Sequence, residues 1–156
     1  MTPAQLATLG AYIAAANDLK TFPSGSDAAF EIARLLNLTA SPEFTVWQHN
    51  LTPDLARKAV VTGAMQLDNL TVGKRDTLLY LFQGTLDCTD SVLRTTLDDL
   101  CGTQNTLKAA ILAATKRLAT RFESVFATGT GSDASPATAT LEGSVSYQDV
   151  QQARGG

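Results

Sequence analysis

The chain carries one histidine, so any mechanism that pairs an imidazole base with a serine or cysteine nucleophile must use His49. Its neighbours, Trp47-Gln48-His49-Asn50-Leu51, contain no nucleophile elbow or Gly-rich turn, which places His49 at a surface or helix end instead of a catalytic centre. Asp87, Asp90, Asp98 and Asp99 gather in one stretch, as an acid–base group or a cation site would require. The oxygen-rich loop with its glycine is missing, so they read as solvated acids at helix ends. Gly73-Lys74 would complete a phosphate-binding loop only with glycine at 68 and serine or threonine at 75, positions that hold Asp68 and Arg75. Thr128-Gly-Thr-Gly-Ser132 follows a helix, the wrong context for a nucleotide cradle, and reads as flexible linker. Cys88 and Cys101 lack close-set Cys or His neighbours and are expected to be reduced, mostly buried thiols. These residues imply no catalytic group, no cofactor and no metal, and the chain is not expected to be an enzyme.

The elements around these residues read as helix almost throughout. With 156 residues, 44% hydrophobic and only 6% aromatic, the chain suits one domain with an Ala-, Leu- and Val-rich helical core. A net charge of -3 argues against a general nucleic-acid binder. No apolar run is long enough to span a bilayer, and no charged segment precedes an apolar one at the N-terminus, so neither membrane insertion nor export is expected. Three Asn-Leu-Thr triplets, at Asn37, Asn50 and Asn69, match the glycosylation pattern but read as helix boundaries, with Thr52 and Thr71 as N-caps.

Thr2-Pro3-Ala4-Gln5 starts the first helix with a capping box, and Leu6, Leu9 and Ile13 share its face. A second helix follows Ser26 or Asp27, with Phe30, Ala33 and Leu36 as the expected buried stripe. The segment 44–47 is ambiguous between helix and strand. Thr52-Pro53-Asp54 opens a third helix. A fourth, 72–83, brings Leu78, Leu79, Leu81 and Phe82 together and is expected to be the most buried. The fifth, 90–100, ends at Gly102. The sixth and longest, 104–127, repeats Leu107, Ile111, Ala114, Leu118, Phe122 and Val125 at helical spacing. It carries Lys108, Lys116, Arg117 and Arg121 against Glu123; the cations do not form one stripe, and they suit a solvated face, an acidic partner surface or phosphate contacts. Complementarity between this basic helix and the Asp-rich fifth helix of a neighbouring copy is a further option.

Beyond it the pattern breaks. Residues 128–140 are Gly-, Ser-, Thr- and Ala-rich with Pro136 inside. Residues 141–147 then alternate, with Leu141, Gly143, Val145 and Tyr147 on one face. A lone strand cannot satisfy its own backbone groups, so it is expected to pair with another subunit, with disorder or folding back as the alternatives. A tether of this length reaches roughly 20 Å as flexible coil and roughly 46 Å fully extended. The expected architecture is thus all-α: one bundle of five to six helices over 1–127, a flexible linker at 128–140 and an extended interaction arm at 141–156. Leu141, Val145, Tyr147 and Val150 on the arm, with Arg117 and Arg121 on the sixth helix, are the expected partner contacts.

Several stretches, Met1-Thr-Pro-Ala-Gln-Leu6, Ser41-Pro-Glu-Phe-Thr-Val-Trp47, Leu70-Thr-Val-Gly-Lys74, Phe122 to Gly131 and Glu142 to Val150, together resemble a group of small uncharacterised virion proteins of tailed bacteriophages and prophages. The matches run in order along nearly the whole chain. It departs from the group at the fourth helix, where Leu-Leu-Tyr-Leu-Phe stands in place of a Trp-rich centre. The resemblance implies a structural role in the particle, made in the host cytoplasm, and transfers no catalytic residue. By analogy of architecture it suggests a head-to-tail adaptor, ring-forming with copies of itself and docked on the portal and on neck or tail proteins by its arm. Other neck, tail-completion or capsid-decoration roles fit the same sequence, with incidental contact to packaged DNA. A reading of another class, a DNA-binding regulator, would rest on Lys74-Arg75-Asp76 as the start of a recognition helix.

Overall fold

The structure is a computed structural model that describes residues 1–155. Its elements are α1 (Pro3–Ala15), α2 (Ser26–Leu36), β1 (Thr45–Trp47), α3 (Pro53–Thr62), α4 (Ala64–Leu67), α5 (Val72–Leu81), α6 (Ser91–Cys101), α7 (Asn105–Ala114), β2 (Lys116–Leu118), α8 (Arg121–Val125), β3 (Ala127–Thr128), β4 (Thr138–Ala139) and α9 (Tyr147–Ala153). The all-α expectation is therefore wrong: β1 pairs with β2, and β3 pairs antiparallel with β4 through Ala127 opposite Ala139 and Thr128 opposite Thr138. These strands span two or three residues, below the four or more over which alternation becomes legible. The ambiguous 44–47 segment resolves as strand.

The chain forms two compact units, Met1–Thr45 with Leu118–Gly156, and Val46–Arg117, in place of a bundle, a linker and an arm. In the first unit, Leu9 and Ile13 of α1, Ile32 and Leu36 of α2, Phe122 of α8 and Val150 of α9 share one core. The α1 capping box is present: Gln5 N–H donates to Thr2 Oγ1 and Thr2 N–H donates to Gln5 Oε1. In the second unit, Leu51, Val60, Leu78, Phe82, Leu97, Leu107 and Ile111 make a separate core under α3, α5, α6 and α7.

The expected sixth helix breaks at Thr115. This buried residue donates its N–H to the Ile111 and Leu112 carbonyls and its hydroxyl to Leu112, closing α7. The chain then runs extended as β2 and restarts at Thr120, whose side chain accepts from Glu123 N–H while the Glu123 carboxylate accepts from Thr120 N–H. That Thr-x-x-Glu box is a helix start, and a helix cannot start inside another.

Residues 128–140 are not a loose tether. Thr45 donates its N–H to the Gly131 carbonyl and accepts from Ala137 N–H, Thr130 Oγ1 donates to the Ser135 carbonyl, and Ala137 and Ala139 are fully buried. Gly131 has φ +68°, and a Cβ there would overlap the Phe44 ring, so glycine is required by both conformation and space.

Candidate interaction surfaces

The expected arm is folded into its own chain. Residues 141–146 form no strand, and Tyr147–Ala153 is a helix capped by Ser146, whose hydroxyl accepts from Asp149 N–H while the Asp149 carboxylate accepts from Ser146. The Ser146 hydroxyl also donates to Asp149 Oδ2 at 2.6 Å, and that bond is the main reason the Asp149 carboxyl lies below its usual range. The backbone groups that argued for a partner strand are satisfied by side chains. Asn37 Nδ2 donates to the Val145 carbonyl and Asn37 Oδ1 accepts from Val145 N–H, both at 2.9 Å, so one amide does the work of a neighbouring strand. Gly143 N–H donates to Glu123 Oε1 at 3.0 Å.

Of the predicted contact residues, Val145 and Val150 are core, Leu141 packs partly buried against them, and Tyr147 alone is well exposed. Arg117 lies half-buried in β2. Arg121 grips Asp18 through two hydrogen bonds of 2.5 and 2.8 Å, donates to Tyr12 Oη at 2.8 Å and lies over the Tyr12 ring. The guanidinium bonds hold the Asp18 carboxyl down at about 2 and push the Arg121 pKa up. This pair ties α8 to the end of α1 and is structural.

The residues with chemical potential are likewise absorbed by packing. His49 Nδ1 stands 3.6 Å from Asp87 Oδ1, and Asp87 accepts from the Thr89 hydroxyl and N–H, which hold its carboxyl below the usual range. Arg94 lies 4.1 Å over the Trp47 ring and donates to the Cys88 and Thr89 carbonyls at 2.7 Å. Cys88 and Cys101 are free and buried; burial pushes the Cys88 thiol up to about 11 and raises Cys101 too. Asp98 pairs with Lys108 at 2.5 Å, an ion pair between the expected basic and Asp-rich helices within one copy. In the imagined recognition helix, Lys74 Nζ donates to the Asp99 carbonyl at 2.6 Å and Arg75 stands 3.7 Å from the Asp76 carboxylate. Among the described residues no group of three or more His, Cys, Asp or Glu is placed to hold a metal, and no helix is long and apolar enough to cross a membrane.

What remains prominent is exposed apolar surface. Phe30 is 63% exposed, opposite to its expected burial. The stripe that faces the core is Ala29, Ile32, Ala33 and Leu36, and Phe30 lies two residues from Ile32, roughly 200° around the helix. Including Ile32 in the stripe would have turned Phe30 outward. It borders an open groove of about 480 Å³ with Ala33, Leu38, Val145 and Tyr147. In α5 only Leu78 is buried, with Phe82 buried at its C-cap, while Tyr80 is 72% exposed and Leu79 also faces out, so the expectation that this helix is the most buried fails: Leu78 and Leu79 lie about 100° apart and do not share a face. Leu79 joins Val60, Val61 and Phe82 around a groove of about 270 Å³ with Arg57 and Gln83 at its edge. Val61 is 73% and Met65 92% exposed. Compared with protein-family models, with curated proteins and with solved structures, the chain matches none.

Proposed function

We propose that this chain is a structural subunit of a tailed-phage particle, a head-to-tail connector or neighbouring neck protein that associates with copies of itself and with portal or tail proteins through exposed apolar faces. The observation that carries the reading is the set of large apolar side chains left in water on α2 to α5: Phe30, Val61, Met65 and Tyr80, each more than half exposed. Phe30 borders one apolar groove and Val61 lines another, and such apolar grooves are the kind of surface that another protein covers. The phage setting comes from the ordered sequence resemblance. Because Val145 and Val150 are core residues, the arm is no longer the docking device, and the exposed faces take that role.

Purified particles of a phage encoding this chain, analysed by mass spectrometry, should contain it at a fixed ratio to the portal protein. A gene deletion should leave filled heads and tails unjoined. A chain absent from purified particles, with a deletion that assembles infectious phage normally, overturns the reading.

A further inference from the structure

Taking the subunit reading above as its basis, we propose that the α3/α5 groove receives the Phe30 knob of a second copy of this chain, a heterologous contact in which each copy offers a knob on one unit and a hole on the other. The hole is lined by Val60, Val61, Leu79 and Phe82, and Arg57 stands at its edge, with Lys58 next along α3. Arg57 is shared with Asp54 at 3.6 Å, an exposed pair, and the Lys58 ammonium makes no ion pair among the described residues. The knob is Phe30 on α2. Asp27 precedes it by one turn and makes no ion pair among the described residues; Glu31, beside it, is held by Arg34.

Charge complementarity selects the occupant. The unit bearing the knob has four basic and eight acidic side chains, a formal -4, while the unit bearing the hole has eight basic and seven acidic, a formal +1. An aromatic side chain with a free carboxylate one turn away therefore meets an apolar groove with Arg57 at its edge and Lys58 beside it, and two knob-bearing units repel. Such a contact is not self-complementary, so it propagates from copy to copy and closes into a ring when the rotation allows.

The test uses the full chain in solution, by sedimentation velocity and mass photometry. Wild type should associate. Phe30→Glu and Val61→Glu, both at exposed positions, should each raise the apparent Kd at least about tenfold with unchanged circular dichroism. Mixed one to one, the two variants should form a heterodimer that grows no further, since the only intact pair is the Phe30 of one against the groove of the other. Lys58→Glu should weaken association, and adding Asp27→Lys should restore it to within about threefold of wild type. A wild type that stays monomeric at about 100 μM, variants that associate as wild type does, or a mixture that stays monomeric each overturns the contact. Its failure is separable from failure of the subunit reading: a chain found in particles whose Phe30→Glu form self-associates normally sinks the contact alone, and a chain missing from particles sinks the reading while the mixing result stands.

Discussion

Gly10→Ala tests the folded-back tail through the sign of its effect. Gly10 lies within α1, where alanine would stabilise a helix with a free face by about 1 kcal/mol. A Cβ at Gly10 would overlap the Ala153 carbonyl oxygen and sit 3.2 Å from its carbonyl carbon. The obstacle is backbone of α9, which cannot swing aside as a side-chain tip can. Relief requires α9 to move off by on the order of 1 Å, opening space under Val150 and forfeiting contacts there. Overpacking of this kind costs up to about 3 kcal/mol, and subtracting the propensity gain leaves a net loss of about 2 kcal/mol. For a chain of this size that lowers the midpoint of thermal unfolding by about 4–8 °C. Urea unfolding followed by far-ultraviolet circular dichroism reads the magnitude. Hydrogen exchange reads the place: amides of α9 should lose protection, and those of α3, α5 and α7 should not. A variant stabilised by about 1 kcal/mol, with α9 protection unchanged, would refute the docking of α9 on α1.

Other substitutions probe the remaining ties. Glu123→Gln leaves one carbonyl oxygen for two N–H groups, Thr120 and Gly143, and turns an NH₂ toward the other; it should cost about 1–3 kcal/mol and speed exchange at residues 140–146, and an unchanged exchange pattern would count against the carboxylate bridge. Asp18 has a folded pKa of about 2 against 3.8, so its contribution is present above pH 4 and is lost as pH falls toward 2. Because Asp18 is exposed, screening limits that contribution to under about 1 kcal/mol. Asp18→Asn should remove this part of the acid limb, and acid unfolding identical to wild type would exclude the Arg121 pair as its source. Cys88 and Cys101 should resist a thiol reagent at pH 8 in the native protein and react fully in urea, and fast stoichiometric labelling of the native chain would show the burial to be wrong.

Helix starts were the most legible part of the fold, because a cap is local. Thr2, Thr52 and Thr71 each sit at the N-cap their sequence suggests, Thr71 without a side-chain cap bond. The two expectations furthest from the structure, one long helix from 104 to 127 and a strand at 141–147, both fail at helix caps. Thr120-Arg-Phe-Glu123 and Ser146-Tyr-Gln-Asp149 carry the same start signal as Thr2-Pro-Ala-Gln5, although apolar periodicity runs on through both. The partners of Val145 were beyond reach of local reading, since Asn37 lies 108 residues away. The apolar surface was hidden for a different reason: residues of one type, Leu78 and Leu79, or Phe30 and Ile32, differ only in angle, and the angle is fixed by which neighbours the helix packs against.

Whether the tail could leave its own chain to grip another is a matter of free energy. In place, Val145 and Val150 are buried, Asn37 and Glu123 hold the segment before α9, and Arg154 donates to the Phe22 and Pro23 carbonyls after it. Two valines at about 1.5–3 kcal/mol each and five hydrogen bonds at about 1 kcal/mol each place the tie on the order of 10 kcal/mol. A partner with a different site would have to replace those contacts before it gained anything. Exchange of α9 between identical copies keeps its docking contacts, and only its covalent connection then separates the two forms. Covalent connection to its own site gives α9 an effective concentration of at least the mM range, so at about 1 μM the closed chain is favoured by a factor on the order of 10³ or more. Any association of dilute copies would therefore start from the closed form, on the surfaces that the closed form leaves in water.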